Sequence, residues 1–191
     1  MKSPGRAQAV AQAYTESQGR NVLVVCPTHD EIDRVTEAIR STRKQAGDLG
    51  ESVQVARDIS LNWTTAEKSD TRRFRTGQRV SFHRAAKGIA KNETLEVVRV
   101  EAKGVVVRND RGEERTLTAK QVKFFDVYER HSIEVAAGDK LLLTANRRES
   151  GFRATNGEIV TVSRVDEGGG IHLEDGRRLP RNFRQFAMGT R

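Results

Sequence analysis

The sequence has a single cysteine, Cys26, among 191 residues. No internal disulfide can form, and a reducing compartment is expected. Long apolar runs are missing too: Val22–Cys26 is the longest aliphatic stretch and is far too short to span a bilayer. The opening MKSPGRAQAV lacks the apolar core of a signal peptide. Together these absences give a cytoplasmic expectation with no membrane partner. No G-x-x-x-x-G-K-[ST] occurs, nor any Gly-Lys pair, which excludes a self-sufficient P-loop enzyme. The four histidines, His29, His83, His131 and His172, have no metal-ligand spacing, so no metal residue is expected. Cys26 ends an apolar strand and reads as core rather than nucleophile. No catalytic residue is assigned.

Positive charge is abundant. The formal net charge is +8 and the isoelectric point about 10.0, a balance that suits a polyanion, nucleic acid first. Hydrophobic residues make up 36% and charged residues 31%, enough for small cores rather than one large one.

The organising feature is a stretch written twice. Thr76–Val97, TGQRVSFHRAAKGIAKNETLEV, is echoed by Ala137–Val162, AGDKLLLTANRRESGFRATNGEIVTV. Gly77 aligns with Gly138, 61 residues on. Each copy runs Gly, an amide or acid (Gln78, Asp139), a base (Arg79, Lys140), an apolar strand and a basic loop. Asn closely followed by Glu then opens a valine-rich strand: Asn92-Glu93 in one copy, Asn156-Gly157-Glu158 in the other. Repeats set architecture. Two copies with period-two strands and frequent turn residues predict two tandem small SH3-like β-barrels. Asn109–Gly112, Gly168–Gly170 and Asp175-Gly176 are the predicted turns.

Upstream, Pro4–Gln18 reads as a helix, with Val10 and Tyr14 four apart. Asn21–Cys26 reads as a buried strand. Thr28-x-x-Glu31 is a capping box opening a helix to about Lys44, whose buried stripe is Ile32, Val35 and Ile39. Val53–Val55 is a candidate return strand, and Thr64-x-x-Glu67 a second capping box, with Trp63 packing at its entrance. The expected class is α+β: a partial α/β unit of strand and helix over residues 1–56, a first barrel with its connector over 57–130, and a second barrel with a return strand over 131–191.

Thr71–Asn92 holds Arg72, Arg73, Arg75, Arg79, Arg84, Lys87 and Lys91 without one acid, and the chain after Asp175 holds Arg177, Arg178, Arg181, Arg184 and Arg191 likewise. Arg147, Arg148 and Arg153 flank Phe152 in the second loop. Basic grooves follow phosphates and aromatic faces stack on bases. The candidate nucleic-acid contacts are therefore Arg79, Arg84, Lys87, Lys91, Arg147, Arg148, Phe152, Arg153, Arg177 and Arg178. Phe152 is the stacking candidate, and Phe82, in a strand, is assigned to the core.

Val22–Arg40, VLVVCPTHDEIDRVTEAIR, resembles the strand and helix that open the second motor domain of RecD-like superfamily-one helicases. The form most like it is that of MobF-type conjugative relaxase-helicases, at the positions of Thr28, Glu31, Arg34, Ile39 and Arg40. The family usually has Asn where this chain has Thr36, and often a basic residue at Ile32. Arg75–Val97 and Phe125–Tyr128 are similar to that family's inserted barrel region. Leu141–Val160, with Asn146, Gly151, Asn156, Gly157 and Glu158, is similar to a further segment of it. The resemblance implies a partial RecA-like fold for residues 1–56 and weak nucleotide contacts at Arg34 and Arg40. It implies a piece of a motor whose P-loop, magnesium acid and Gln-Gly motif lie elsewhere, so that ATP and magnesium belong to a parent helicase and this chain itself needs no cofactor. It further implies a monomeric single-stranded DNA guide or, alternatively, a translocation signal read by a type IV secretion coupling protein.

Overall fold

A computed structural model of the chain describes residues 4–17, 24, 26, 28–101 and 104–189. The strand expected over Asn21–Cys26 lies largely outside the described residues, as does Arg191. Among the described residues there are three α-helices: α1 (Pro4–Glu16), α2 (His29–Gln45) and the short α3 (Thr65–Ser69). Thr28 caps α2 by accepting the Glu31 N–H at 3.3 Å. Asp30 and Glu31 in its first turn and Arg43 and Lys44 in its last complement the helix dipole. Ala11 of α1 and Val35 and Ile39 of α2 are buried together, with Val10, Tyr14 and Ala38 against them. Ile32, expected in that stripe, is 39% exposed. The predicted box at Thr64 forms in both directions, Glu67 N–H to the Thr64 hydroxyl and Thr64 N–H to the Glu67 carboxylate.

The remainder is antiparallel sheet. One sheet contains β1 (Ser52–Ser60), β2 (Arg79–Phe82), β3 (Thr94–Glu101), β4 (Gly104–Arg108), β5 (Glu114–Leu117) and β6 (Phe125–Ala136), in the order β1-β6-β2-β3-β4-β5. A second contains β7 (Lys140–Leu143), β10 (Ile159–Val165), β11 (Ile171–Leu173), β12 (Arg178–Leu179) and β13 (Phe186–Met188), in the order β12-β11-β10-β7-β13. A hairpin of β8 (Arg147–Glu149) and β9 (Phe152–Ala154) stands apart. Among the described residues the strands expected to build two small SH3-like barrels form antiparallel sheets that are open in their strand order and do not close. The outer strands β5 and β12 are only four and two residues long. Val53–Val55 lies within the longer β1, which extends the first antiparallel sheet beside β6.

The chain divides into two compact units. One comprises 1–55, 134–181 and 186–191; the other comprises 56–133 and 182–185. The middle segment thus forms its own unit, and residues 1–55 share the other with most of 134–191. The core of the middle unit is built from Phe74, Val80, Phe82, Ile89, Leu95, Val97, Val105, Val107 and Phe125.

The sequence repeat is a repeat of hydrogen bonds. Gly77 N–H donates to Val97 O at 2.8 Å, and Gly138 N–H to Val162 O at 2.8 Å. Val97 N–H returns to Gln78 O, and Val162 N–H to Asp139 O, both at 2.8 Å. The Gln78 side chain accepts the Arg75 N–H at 2.9 Å; the Asp139 carboxylate accepts the Ala136 N–H at 2.8 Å. Glu93 and Glu158 each cap the backbone N–H three residues before them. Both copies also carry a bulge at the same point, between Val97 and Arg99 in β3 and between Val162 and Arg164 in β10, which sharpens the local twist. In each, the last strand returns to pair with the first: β6 with β2 and β13 with β7.

Candidate nucleic-acid interface

The loop joining the first two strands of each copy carries the expected cations. In the middle unit it spans 83–91. Ala86 and Ile89 close a two-bond turn on each other, helped by Gly88 at φ 74°. Ile89 is buried at 4% exposure and plugs the loop into the core. With this anchor in place, Arg84, Lys87 and Lys91 are left exposed, and none forms an ion pair with a described residue. Arg79 differs. Its side chain is 12% exposed, held between Glu96 at 3.5 Å and Asp110 at 3.7 Å. Burial lowers its pKa, with the Arg130 charge adding to the effect. It is a structural cation rather than a surface one. Upstream, Arg72 and Arg73 are paired with Asp70 and Glu67, and Arg75 turns back onto the carbonyls of Arg72 and Phe74.

In the second copy the loop is four residues longer, because the offset between equivalents rises from 61 at Gly77 and Gly138 to 65 at Asn92 and Gly157. The extra length forms the β8–β9 hairpin. Arg148 and Arg153 face each other directly across it, both exposed and neither in an ion pair with a described residue. Like charges opposed in an antiparallel pair repel. The other two candidates in this hairpin are placed otherwise. Arg147 is buried, bonded through Nε to Glu149 at 3.0 Å. Phe152 is 6% exposed, so its ring packs inward and is not presented for stacking. In so short a strand the Phe152-Arg153-Ala154 alternation sends every second side chain inward, and a loop reading misses this.

Arg177 is a clamp. It donates to the Arg153 carbonyl at 2.7 Å, to Glu158 at 2.5 Å and to Asp175 at 2.6 Å, tying the hairpin to the following turn. Donating hydrogen bonds to Asp175 and Glu158 raises its pKa, and the same bonds hold both carboxylates below their ordinary values. Arg178 pairs with Asp166 at 2.8 Å while remaining half exposed. Arg115, which sequence reasoning passed over, stands where Arg177 stands in the other copy: opposite Val107 as Arg177 is bonded opposite Leu173, and paired with the acid two residues before it.

On α2, Arg34 is exposed. Arg40 is 8% exposed and fully engaged, with Nε 3.1 Å from Asp139 Oδ2, Nη1 3.3 Å from Glu134 and Nη2 3.2 Å from Ser52. Its guanidinium holds the unit together and is not offered to a nucleotide. Among the described residues no three His, Cys, Asp or Glu side chains gather as a metal set, and no helix is long and apolar enough to cross a membrane.

The sequence reading also missed Lys120, Lys123 and Phe124. They lie on a 3-10 turn, Ala119–Phe124, that leads into β6. Lys123 Nζ sits 5.2 Å above the Phe124 ring. The only sequence signal was the pair of lysines three apart.

No family model matches the chain, and no curated protein matches it.

Proposed function

We propose that the chain is a non-catalytic single-stranded DNA-binding module. The observation that supports this best is the repeated placement of uncompensated cations. The same loop of each copy carries them, Arg84, Lys87 and Lys91 in one and Arg148 and Arg153 in the other. A like-charged pair facing across a hairpin is relieved when an anion bridges it, and a phosphate does so. Of the ten candidate contacts, these five are the ones we retain as direct phosphate ligands. Arg178 adds to the surface charge, and Arg79, Arg147, Phe152 and Arg177 act as framework.

We read the sheet of each copy as SH3-like. Short strands, a meander in each copy (β2-β3-β4-β5 and β7-β10-β11-β12), and a last strand returning to the first support this reading. The capped α2 packed on α1 supports the RecA-like reading of the N-terminal part. The segments resembling MobF-type relaxase-helicases supply the context, a strand of DNA guided past a motor that this chain does not contain.

Fluorescence anisotropy with a labelled oligothymidylate, titrated across salt, tests the function. Phosphate-led binding loses affinity linearly on a log–log salt plot, by about 0.7 per neutralised phosphate for a single strand. Absence of binding, or affinity that ignores salt, overturns the proposal.

A further inference from the structure

We infer that the middle unit carries a composite strand-binding face, in which Phe124 is the base-stacking residue and Lys120 and Lys123 extend the phosphate track begun by Arg84, Lys87 and Lys91. This rests on the single-strand reading above and says where a strand would lie on this unit.

The backbone brings the two segments together. His83 N–H and Arg84 N–H both donate to the Phe124 carbonyl, at 3.0 Å and 3.4 Å. The basic loop therefore starts on the 3-10 turn. In a 3-10 helix residues three apart eclipse, so Lys120 and Lys123 project from the same face. Both are exposed and neither forms an ion pair with a described residue. The turn is fixed at its start by the Gln121 side chain, which accepts the Thr118 N–H at 2.9 Å. Val122, buried, pins its middle.

The neighbouring acids are engaged elsewhere, two of them by cations outside this face. Glu93 caps the Ala90 N–H at 2.8 Å, Asp126 pairs with Lys68 at 3.2 Å, and Glu67 is held by Thr64 and Arg73. Phe124 is half-buried against the core, and Lys123 lies over its ring. A partly exposed ring with a mobile lysine over it and further cations beside it supplies what a sequence-tolerant single-strand site uses: an aromatic surface for the base, once the ammonium moves to a phosphate, and charges for the phosphates beside it. A duplex, with its bases already stacked on one another, has no use for the ring.

The test compares variants with the wild-type chain, using a fluorescein-labelled oligothymidylate and its duplex with oligoadenylate. Lys120→Glu with Lys123→Glu is expected to weaken single-strand binding at least roughly tenfold and to flatten the salt slope by about 1.4, two phosphates' worth. Phe124→Leu weakens single-strand binding roughly tenfold, leaves the slope alone and hardly changes duplex binding, while Phe124→Trp restores it. Trp63, edge-on to Phe74 at 5.1 Å in the same core, reports by fluorescence that each variant is folded. Wild-type affinity in both the lysine and Phe124→Leu variants, with weakened binding in Arg148→Glu/Arg153→Glu, overturns this inference and leaves the single-strand reading standing. Weakening by the lysine variant with none by Phe124→Leu overturns the stacking role. No binding by the wild-type chain overturns both readings.

Discussion

Asn92 and Gly157 occupy the same point of the two copies. Each has a positive φ, 67° and 86°, and each donates its N–H to the carbonyl of the residue ending the first strand of its copy, Phe82 at 2.7 Å and Leu143 at 2.8 Å. The left-handed region is open to glycine, tolerated by asparagine and poor for branched residues. A Cβ at Gly157 would meet nothing within 4 Å, so any penalty there comes from the backbone alone. Gly157→Val is expected to cost about 1–3 kcal/mol, whereas Asn92→Gly changes stability by only a few tenths of a kcal/mol. Urea denaturation of the two variants checks this. Equal destabilisation would show that the shared conformation does not limit the choice of residue.

Arg148 and Arg153 are expected to act on binding and not on folding. Changing both to Ala weakens oligothymidylate binding, lowers the salt slope by about 0.7 for each phosphate no longer neutralised, and leaves thermal stability unchanged or slightly improved, since a repulsive pair is gone. Arg147→Ala should do the reverse, lowering the melting temperature because Glu149 is deprived of its Nε partner at 3.0 Å. Paired melts and anisotropy titrations separate the two behaviours.

Arg40→Met leaves Asp139, 3% exposed, without its guanidinium. A buried ion pair broken on one side costs about 3–5 kcal/mol, and removing the second charge as well recovers part of that. The expected order in chemical denaturation is wild type, then Arg40→Met/Asp139→Asn, then Arg40→Met. The amide replacing Asp139 still accepts the Ala136 N–H, but the Arg40 bonds to Glu134 and Ser52 are lost, so the double variant does not reach wild type.

The Arg177 clamp gives a pH dependence of definite sign. Its hydrogen bonds depress the folded-state pKa of Glu158 below 4.5 and that of Asp175 below 3.8. Their stabilisation is therefore complete above those ordinary values and is lost as pH falls through the lower folded values. Melting temperatures taken from neutral pH to about pH 2 should show Arg177→Gln below wild type at neutral pH, with the gap closing in acid. A gap that stays constant would mean that the clamp does not hold the two carboxylates as charged groups.

Local features of this fold were legible in the sequence. The N-cap at Thr28, the capping box at Thr64, the Val10/Tyr14 and Val35/Ile39 stripes and the Asn109–Gly112 turn depend on neighbours within a few residues, and the structure has them. The duplication was legible because its bonds are made by a repeated order of Gly, polar residue, strand and Glu. What escaped notice depends on distant partners. Arg40 reads as an exposed helix residue until Asp139, 99 positions away, accepts its Nε. Arg79 reads as a surface cation until Glu96 and Asp110 enclose it. Phe152 sits in a strand of three residues, too short to display a period.

The bonds that bracket each basic loop are the same in both copies, while the residues between them differ in number and shape. Ile89 seats one loop, and a hairpin under the Arg177 clamp shapes the other. Matching ends therefore do not make the loops interchangeable. Grafting 144–156 between Phe82 and Asn92 would strip the middle unit's core of Ile89, and grafting 83–91 between Leu143 and Gly157 would remove the Arg153 carbonyl that Arg177 holds, so each loop belongs to its own scaffold although the strand ends that frame it are alike.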